Sequence, residues 1–181
     1  MNIIVKPYGS DLCYCRPDTT WERENKDLYS PECVKEWSWA PVAFLRVCKA
    51  GKCISPKFAS RYYDSVNFGA LLYMTPDAAF GSCADHTSLL PSPLYNPVVL
   101  ENQENRFEFI KDGETIFSLS GWDALRPVLE DALCKASALT SLRIGDFVAV
   151  ELAHLSTLTS SPCHLQATTC NNSTIDLQVI F

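Results

Sequence analysis

The chain is short of the residues and patterns that announce the commoner chemistries. Only three of its 181 residues are histidine. It contains no glycine-rich phosphate loop, no G-x-S-x-G nucleophile elbow and no H-E-x-x-H helix, so P-loop, α/β-hydrolase and zinc-protease chemistry lack their signatures. Positive charge is also scarce: 15 Lys and Arg stand against 21 Asp and Glu, a net charge of −6. Nucleic acid and anionic membranes are held by clustered cations, and neither is expected as a partner. The nearest basic cluster, Arg46, Lys49, Lys52, Lys57 and Arg61, reads as a solvated helix-and-turn face. At the start only Ile3, Ile4 and Val5 run together before Lys6, too few for a signal-peptide core or a membrane span. The expected location is the cytoplasm.

Cysteine is abundant, with nine residues. The count is odd, no C-x-x-C pair occurs, and a reducing compartment keeps thiols free. Cys83-Ala84-Asp85-His86 and Cys163-His164 match no standard zinc spacing, so free thiols are the simpler reading. Nothing selects either pair as a Cys–His nucleophile. Asp11, Asp18, Glu22, Glu24 and Asp27 are dispersed through a polar stretch and form no compact hard-cation cluster.

Length and composition suit one domain over residues 1–181, able to bury about 70% of the surface its unfolded chain exposes. A short strand is expected over Asn2 to Val5. Residues 8–38 read as a long irregular loop with a short strand at Leu12 to Cys15. Pro41 to Cys48 reads as a central strand, because both faces are apolar. Ser55-Pro56 supplies an N-cap and a first-turn proline for a short helix over about 55–63. Val66 to Met74 is a second buried strand, whose internal Gly69 implies a bulge or a close backbone approach. Residues 75–96 read as loop, Pro97 to Leu100 as a strand, and Phe107 to Leu119 as a hairpin turning at Asp112-Gly113. The apolar stripe Leu129, Leu133 and Ala136 makes a main helix over about 127–139. A strand over Phe147 to Leu152, a loop over 156–173 and a closing strand over Ile175 to Phe181 complete an α+β, predominantly β chain.

One stretch carries a resemblance. Gly51-Lys52-x-Ile54, followed by Phe58-Ala59-x-Arg61-Tyr62-Tyr63-Asp64-x-Val66-x-x-Gly69, resembles a short bacterial branch of the fumarylacetoacetate hydrolase family. Lys6-Pro7, the Asp112-Gly113 hairpin and Leu142-x-Ile144-Gly145-Asp146 fall in the same order. The resemblance implies a mixed β-roll or sandwich like that family's C-terminal domain, and a homodimer. It also implies chemistry on a small dicarbonyl or 2-oxo acid, polarised by Mg²⁺ or another divalent cation held by a Glu-x-Glu pair and an Asp.

Carried over by position, the Glu-x-Glu pair falls on Ala40 and Val42, the Asp on Leu71, a loop lysine near Ala78, and the substrate loop at Val150 and the residues after it. The family's usual leader, which carries a catalytic histidine, is not found ahead of Lys6-Pro7. Of the functional positions only Lys6 is kept. Ala, Val and Leu supply no oxygen donors, which hard divalent cations require. The resemblance therefore implies a degenerate, non-catalytic binding or interaction module without a metal cofactor. The rival expectation is a hydrolase, decarboxylase or isomerase with a remodelled site, in which Lys6, Arg61 or Cys48 serves a small carboxylate ligand.

Overall fold

A computed structural model describes residues 1–75 and 81–181; the expectation placed on Ala78 lies outside them. Two long antiparallel strands, β5 (Glu36–Val47) and β6 (Tyr63–Thr75) in chain order, form the spine. Ahead of them come β1 (Ile3–Lys6), β2 (Tyr14–Arg16), β3 (Trp21–Glu22) and β4 (Leu28–Tyr29). After them come β7 (Ser88–Leu89), β8 (Arg106–Lys111), β9 (Glu114–Ser120), β10 (Phe147–Glu151), β11 (Ser156–Thr159), β12 (Cys163–Thr169) and β13 (Asn172–Ile180). The first sheet runs β2-β1-β10-β5-β6-β7-β3 with β11 also paired to β5, and the second runs β4-β13-β12-β8-β9. The architecture is α+β and mostly β.

The spine strands are apolar on both sides because both faces of the first sheet are covered. One face packs against the second sheet and helix α2 (Arg126–Leu139), which buries Leu129, Ala132, Leu133 and Ala136. The spacing of those four residues is a single helical stripe. The other face forms a smaller cluster of its own around Ala40, Val42, Phe44 and Leu71.

Several elements depart from the sequence expectation. β5 starts five residues before Pro41, in the middle of what a proline would ordinarily begin. Pro41 is tolerated because β10 pairs with Val42 to Arg46 and β11 with Trp37 to Trp39. The missing N–H falls in the gap between those partners, while the Pro41 carbonyl accepts Leu152 N at 2.8 Å. Residues 97–100 are not a strand but helix α1 (Pro97–Glu101), because Asn96 caps it, accepting Val98 N at 3.1 Å, and Pro97 opens its first turn. The expected loop 156–173 holds β11 and β12, and β13 begins at Asn172. The short helix is a 3-10 turn over Pro56–Arg61 without a side-chain cap from Ser55. The hairpin turns as expected, with Asp112 and Gly113 both at positive φ (50° and 84°), the conformation that favours Asp-Gly in two-residue turns. Among the described residues all nine cysteines are free, and no helix is long and apolar enough to cross a membrane.

Candidate functional site

Strand register decides which side chains meet. Ala40 lies opposite Leu71, Val42 opposite both Gly69 and Glu151, and Phe44 opposite Ala149. Because side chains alternate faces, these residues share one side of the sheet with Ile3, Val5, Tyr73 and Phe147. The positions to which the resemblance assigns metal ligands are thus adjacent in space, and Ala40, Val42 and Leu71 are each 0% exposed. Aromatic rings fill the space around them. Phe147 meets Phe44 edge-on at 5.3 Å and Trp21 at 4.9 Å between ring centroids, and Trp21 Nε1 donates to the Leu90 carbonyl at 2.8 Å.

The polar groups of this face gather at one end. Tyr73, two residues after Leu71, donates its hydroxyl to Glu151 Oε1. Tyr14 and Tyr73 hydroxyls lie 2.5 Å apart, and Tyr8 N donates to Glu151 Oε2 at 3.1 Å. Arg16 is fully buried beside them, its guanidinium 4.9 Å from the Tyr73 ring centroid and its Nη2 donating to Leu72 O and Thr87 Oγ1. Burial pushes Tyr14 up to about 12, against the pull of Arg16. Burial and then the neighbouring Tyr14 and Glu151 push Tyr73 up further. Both phenols therefore stay neutral donors at neutral pH. A cavity of about 480 Å³ opens here, lined by Pro7, Tyr14, Cys15, Tyr73, Ser82, Cys83, Glu151 and Leu155.

The remaining sequence candidates do not join this group. Lys6 pairs with Val150 on the opposite side of the strands from Val5 and Glu151. Its field there acts on Asp11 and Cys13, on the side of α2. Val150 itself belongs to the core between the sheets, so the residue of that segment that reaches the cavity is Glu151. Arg61 is exposed at the end of its 3-10 turn, stacked over Phe58 at 5.0 Å. Cys48 Sγ lies against the Arg61 carbonyl. Cys163 is buried, and His164 Nε2 sits 2.5 Å from Asp176 Oδ1 on the far sheet. His86, by contrast, is paired with Glu22 at 2.7 Å. Tyr73 and Glu151 were discoverable by counting in twos from Leu71 and Phe147, but Tyr14 was hidden in a stretch without periodicity.

A divalent cation does not fit the three positions that the resemblance assigns to its ligands. They offer methyl and methylene groups where oxygen donors are needed, and the nearby carboxylate, Glu151, already accepts from Tyr73 and Tyr8. Among the described residues no three His, Cys, Asp or Glu side chains cluster as a metal site.

No protein-family model matches the sequence, and no curated protein does. Solved structures do share its fold. A fumarylacetoacetate hydrolase family protein from Yersinia pestis CO92 superposes with a TM-score of 0.80 at 12% identity, covering 99% of this chain and 92% of that one. Fumarylpyruvate hydrolase from Pseudomonas aeruginosa, solved with Mn²⁺ and pyruvate, gives 0.77 at 12% over 100% and 90% of the two chains. 5-Carboxymethyl-2-hydroxymuconate delta-isomerase from Mycobacterium smegmatis gives 0.76 at 10%, over 99% and 78%. The chain has the fold of the fumarylacetoacetate hydrolase family, as the stretch from Gly51 to Gly69 implied.

Proposed function

We propose that this chain is a non-catalytic module built on the fumarylacetoacetate hydrolase fold, which binds a small neutral molecule and no divalent cation. The observation that carries the reading is the apolar filling of Ala40, Val42 and Leu71 by Phe44, Phe147 and Tyr73. The three positions themselves offer no oxygen donor to an ion. The 480 Å³ cavity beside it is within the size range of small-molecule sites. Its charged lining group among the described residues is Glu151, which disfavours the small carboxylate that the resemblance suggested, because like charges in a low-dielectric site repel. A neutral ligand with one donor and an apolar body suits it better.

Thermal unfolding with Mg²⁺ or Mn²⁺ tests the metal-free reading. A cation bound at roughly a hundred times its Kd would stabilise the fold by about 2.7 kcal/mol, a Tm rise of about 5–10 °C for a chain of this size. No rise is expected at millimolar cation, and a concentration-dependent rise would overturn the proposal. The convergence of Tyr14, Tyr73 and Glu151 on the cavity favours one second reading, metal-independent proton transfer on a dicarbonyl compound. Loss of the enol absorbance of a 2-oxo acid, faster with this protein than with its Glu151→Gln variant, would establish that reading in place of the first.

A further inference from the structure

The polar wall of the 480 Å³ cavity is a chain of hydrogen bonds with one direction. Tyr73 has a single hydroxyl proton, and it goes to Glu151 Oε1. The Tyr73 oxygen, 2.5 Å from that of Tyr14, can then only accept, so Tyr14 gives its own proton to Tyr73. Both phenols hold these protons at neutral pH because burial raises them, Tyr14 to about 12. Of the roughly four lone-pair sites of the Glu151 carboxylate, Tyr73 takes one and Tyr8 N takes another. What Tyr14 and Glu151 have left for the cavity they line is lone pairs. The other polar lining groups among the described residues change this little. The Cys15 thiol points to the Arg16 carbonyl at 3.6 Å, Cys83 is a weak donor, and Ser82 is buried and already engaged.

The charges around the wall offset one another. Arg16 is 0% exposed, with its guanidinium 4.9 Å from the Tyr73 ring centroid. Its Nη2 donates to Leu72 O and Thr87 Oγ1, while Nε and Nη1 have no hydrogen-bond partner among the described residues. No carboxylate neutralises it by contact, so Glu151, at the far end of Tyr73, is its countercharge. The two act on Tyr14 and Tyr73 in opposite senses. Arg16 is not among the described residues that line the cavity and gives an anion no anchor. Its charge nevertheless weakens the pull of Glu151 on a cation.

Few neutral groups donate a hydrogen bond without also accepting one. Alcohols and amides bring lone pairs that this wall leaves unmet. An N–H whose lone pair belongs to an aromatic ring brings none, as in the donor-only indole. We propose that the cavity binds a neutral N–H heteroaromatic molecule of the indole or pyrrole type, whose N–H donates to Glu151 and whose rings lie against Tyr14 and Leu155. The inference rests on the reading of this cavity as a site for a small neutral molecule, and it names the chemical class.

Calorimetry with indole, benzofuran and 1-methylindole tests it. Benzofuran has the shape of indole with an oxygen in place of the N–H, and 1-methylindole lacks the proton. Indole should bind about tenfold tighter than either, because only its N–H meets the acceptors of the wall. Benzylamine, a cation at neutral pH, should bind no tighter than indole. In Glu151→Gln the amide brings a donor to the wall, and the ratio of indole to benzofuran affinity should fall to near one. Leu155→Trp, at an exposed position on the rim, should abolish indole binding and leave the urea midpoint in place. Benzofuran binding as tightly as indole, a ratio kept in Glu151→Gln, or indole binding kept in Leu155→Trp would overturn the N–H ligand while the neutral-molecule reading stands. No binding of any neutral probe up to its solubility limit, or tighter binding of benzylamine, would overturn both.

Discussion

At the scale of single residues, the polar end of the face around Ala40 and Leu71 depends on three side chains. Tyr73 links Glu151 to Tyr14, so Tyr73→Phe removes a buried carboxylate's donor while keeping the ring that packs against Leu71. Leaving a buried acceptor short of a partner costs about 1–3 kcal/mol. The urea midpoint of Tyr73→Phe should fall by that much with its slope unchanged, and a loss below about 0.5 kcal/mol would mean the network is solvated. Tyr14 adds a pH dependence. Its folded value is raised to about 12 by burial, above the ordinary 10 of an unfolded tyrosine. The folded chain therefore holds this proton more tightly than the unfolded one. The stabilisation is complete below pH 10 and is lost as pH rises from 10 through about 12. Urea unfolding across that window should show a steeper alkaline decline for the wild type than for Tyr14→Phe, and parallel curves would refute it.

At the scale of elements, the sequence was legible where periodicity is intrinsic and illegible where pairing decides. The stripe of α2, the Asp112-Gly113 hairpin and the apolar interior of β6 were readable, since each follows from local spacing. Strands β3, β4 and β7 were not, because each has two residues and exists only through a partner far away, such as Trp21 opposite Ser88. β5 was read too short because its proline is permitted by a gap between two other strands, which no local pattern encodes. β10 was read as a strand over Phe147 to Leu152, but the face that Glu151 presents follows only from the register with Val42. The ambiguity at Gly69 is resolved as a close approach. A Cβ there would lie 2.2 Å from the Leu89 carbonyl oxygen and 3.2 Å from Pro91 Cδ. Backbone cannot yield as a flexible side chain does, so Gly69→Ala should displace β7 and cost about 1–3 kcal/mol. Chemical denaturation reads the loss, and a neutral substitution would show that the 88–91 segment is not held against β6.

At the scale of the whole molecule, the first sheet is covered on both faces, and the face around Ala40, Val42 and Leu71 stabilises the fold by apolar burial. A cation site demands carboxylates held in an interior; their mutual repulsion and desolvation oppose folding until the ion arrives. Where the resemblance places those carboxylates, Ala40, Val42 and Leu71 form part of a second apolar core. Such a face contributes to stability without a ligand, because buried apolar area does so by itself. Leu71→Asp tests whether that core is dry. The leucine is 0% exposed between Ala40 and the aromatic cluster, so an ionised carboxylate there lacks both water and partner. The loss at pH 7 should reach about 3–5 kcal/mol. Burial would raise the new aspartate above its unfolded value of about 3.9. Its protonated form is then the one the fold accepts, and the penalty should shrink as pH falls toward 4 and grow as pH rises through the folded value. Leu71→Asn, of nearly the same shape and without a charge to titrate, should show a pH-independent loss. If Leu71→Asp and Leu71→Asn kept the same difference at pH 4.5 and pH 7, water would already reach this face, and the space around Ala40 and Val42 would be an open site rather than a core.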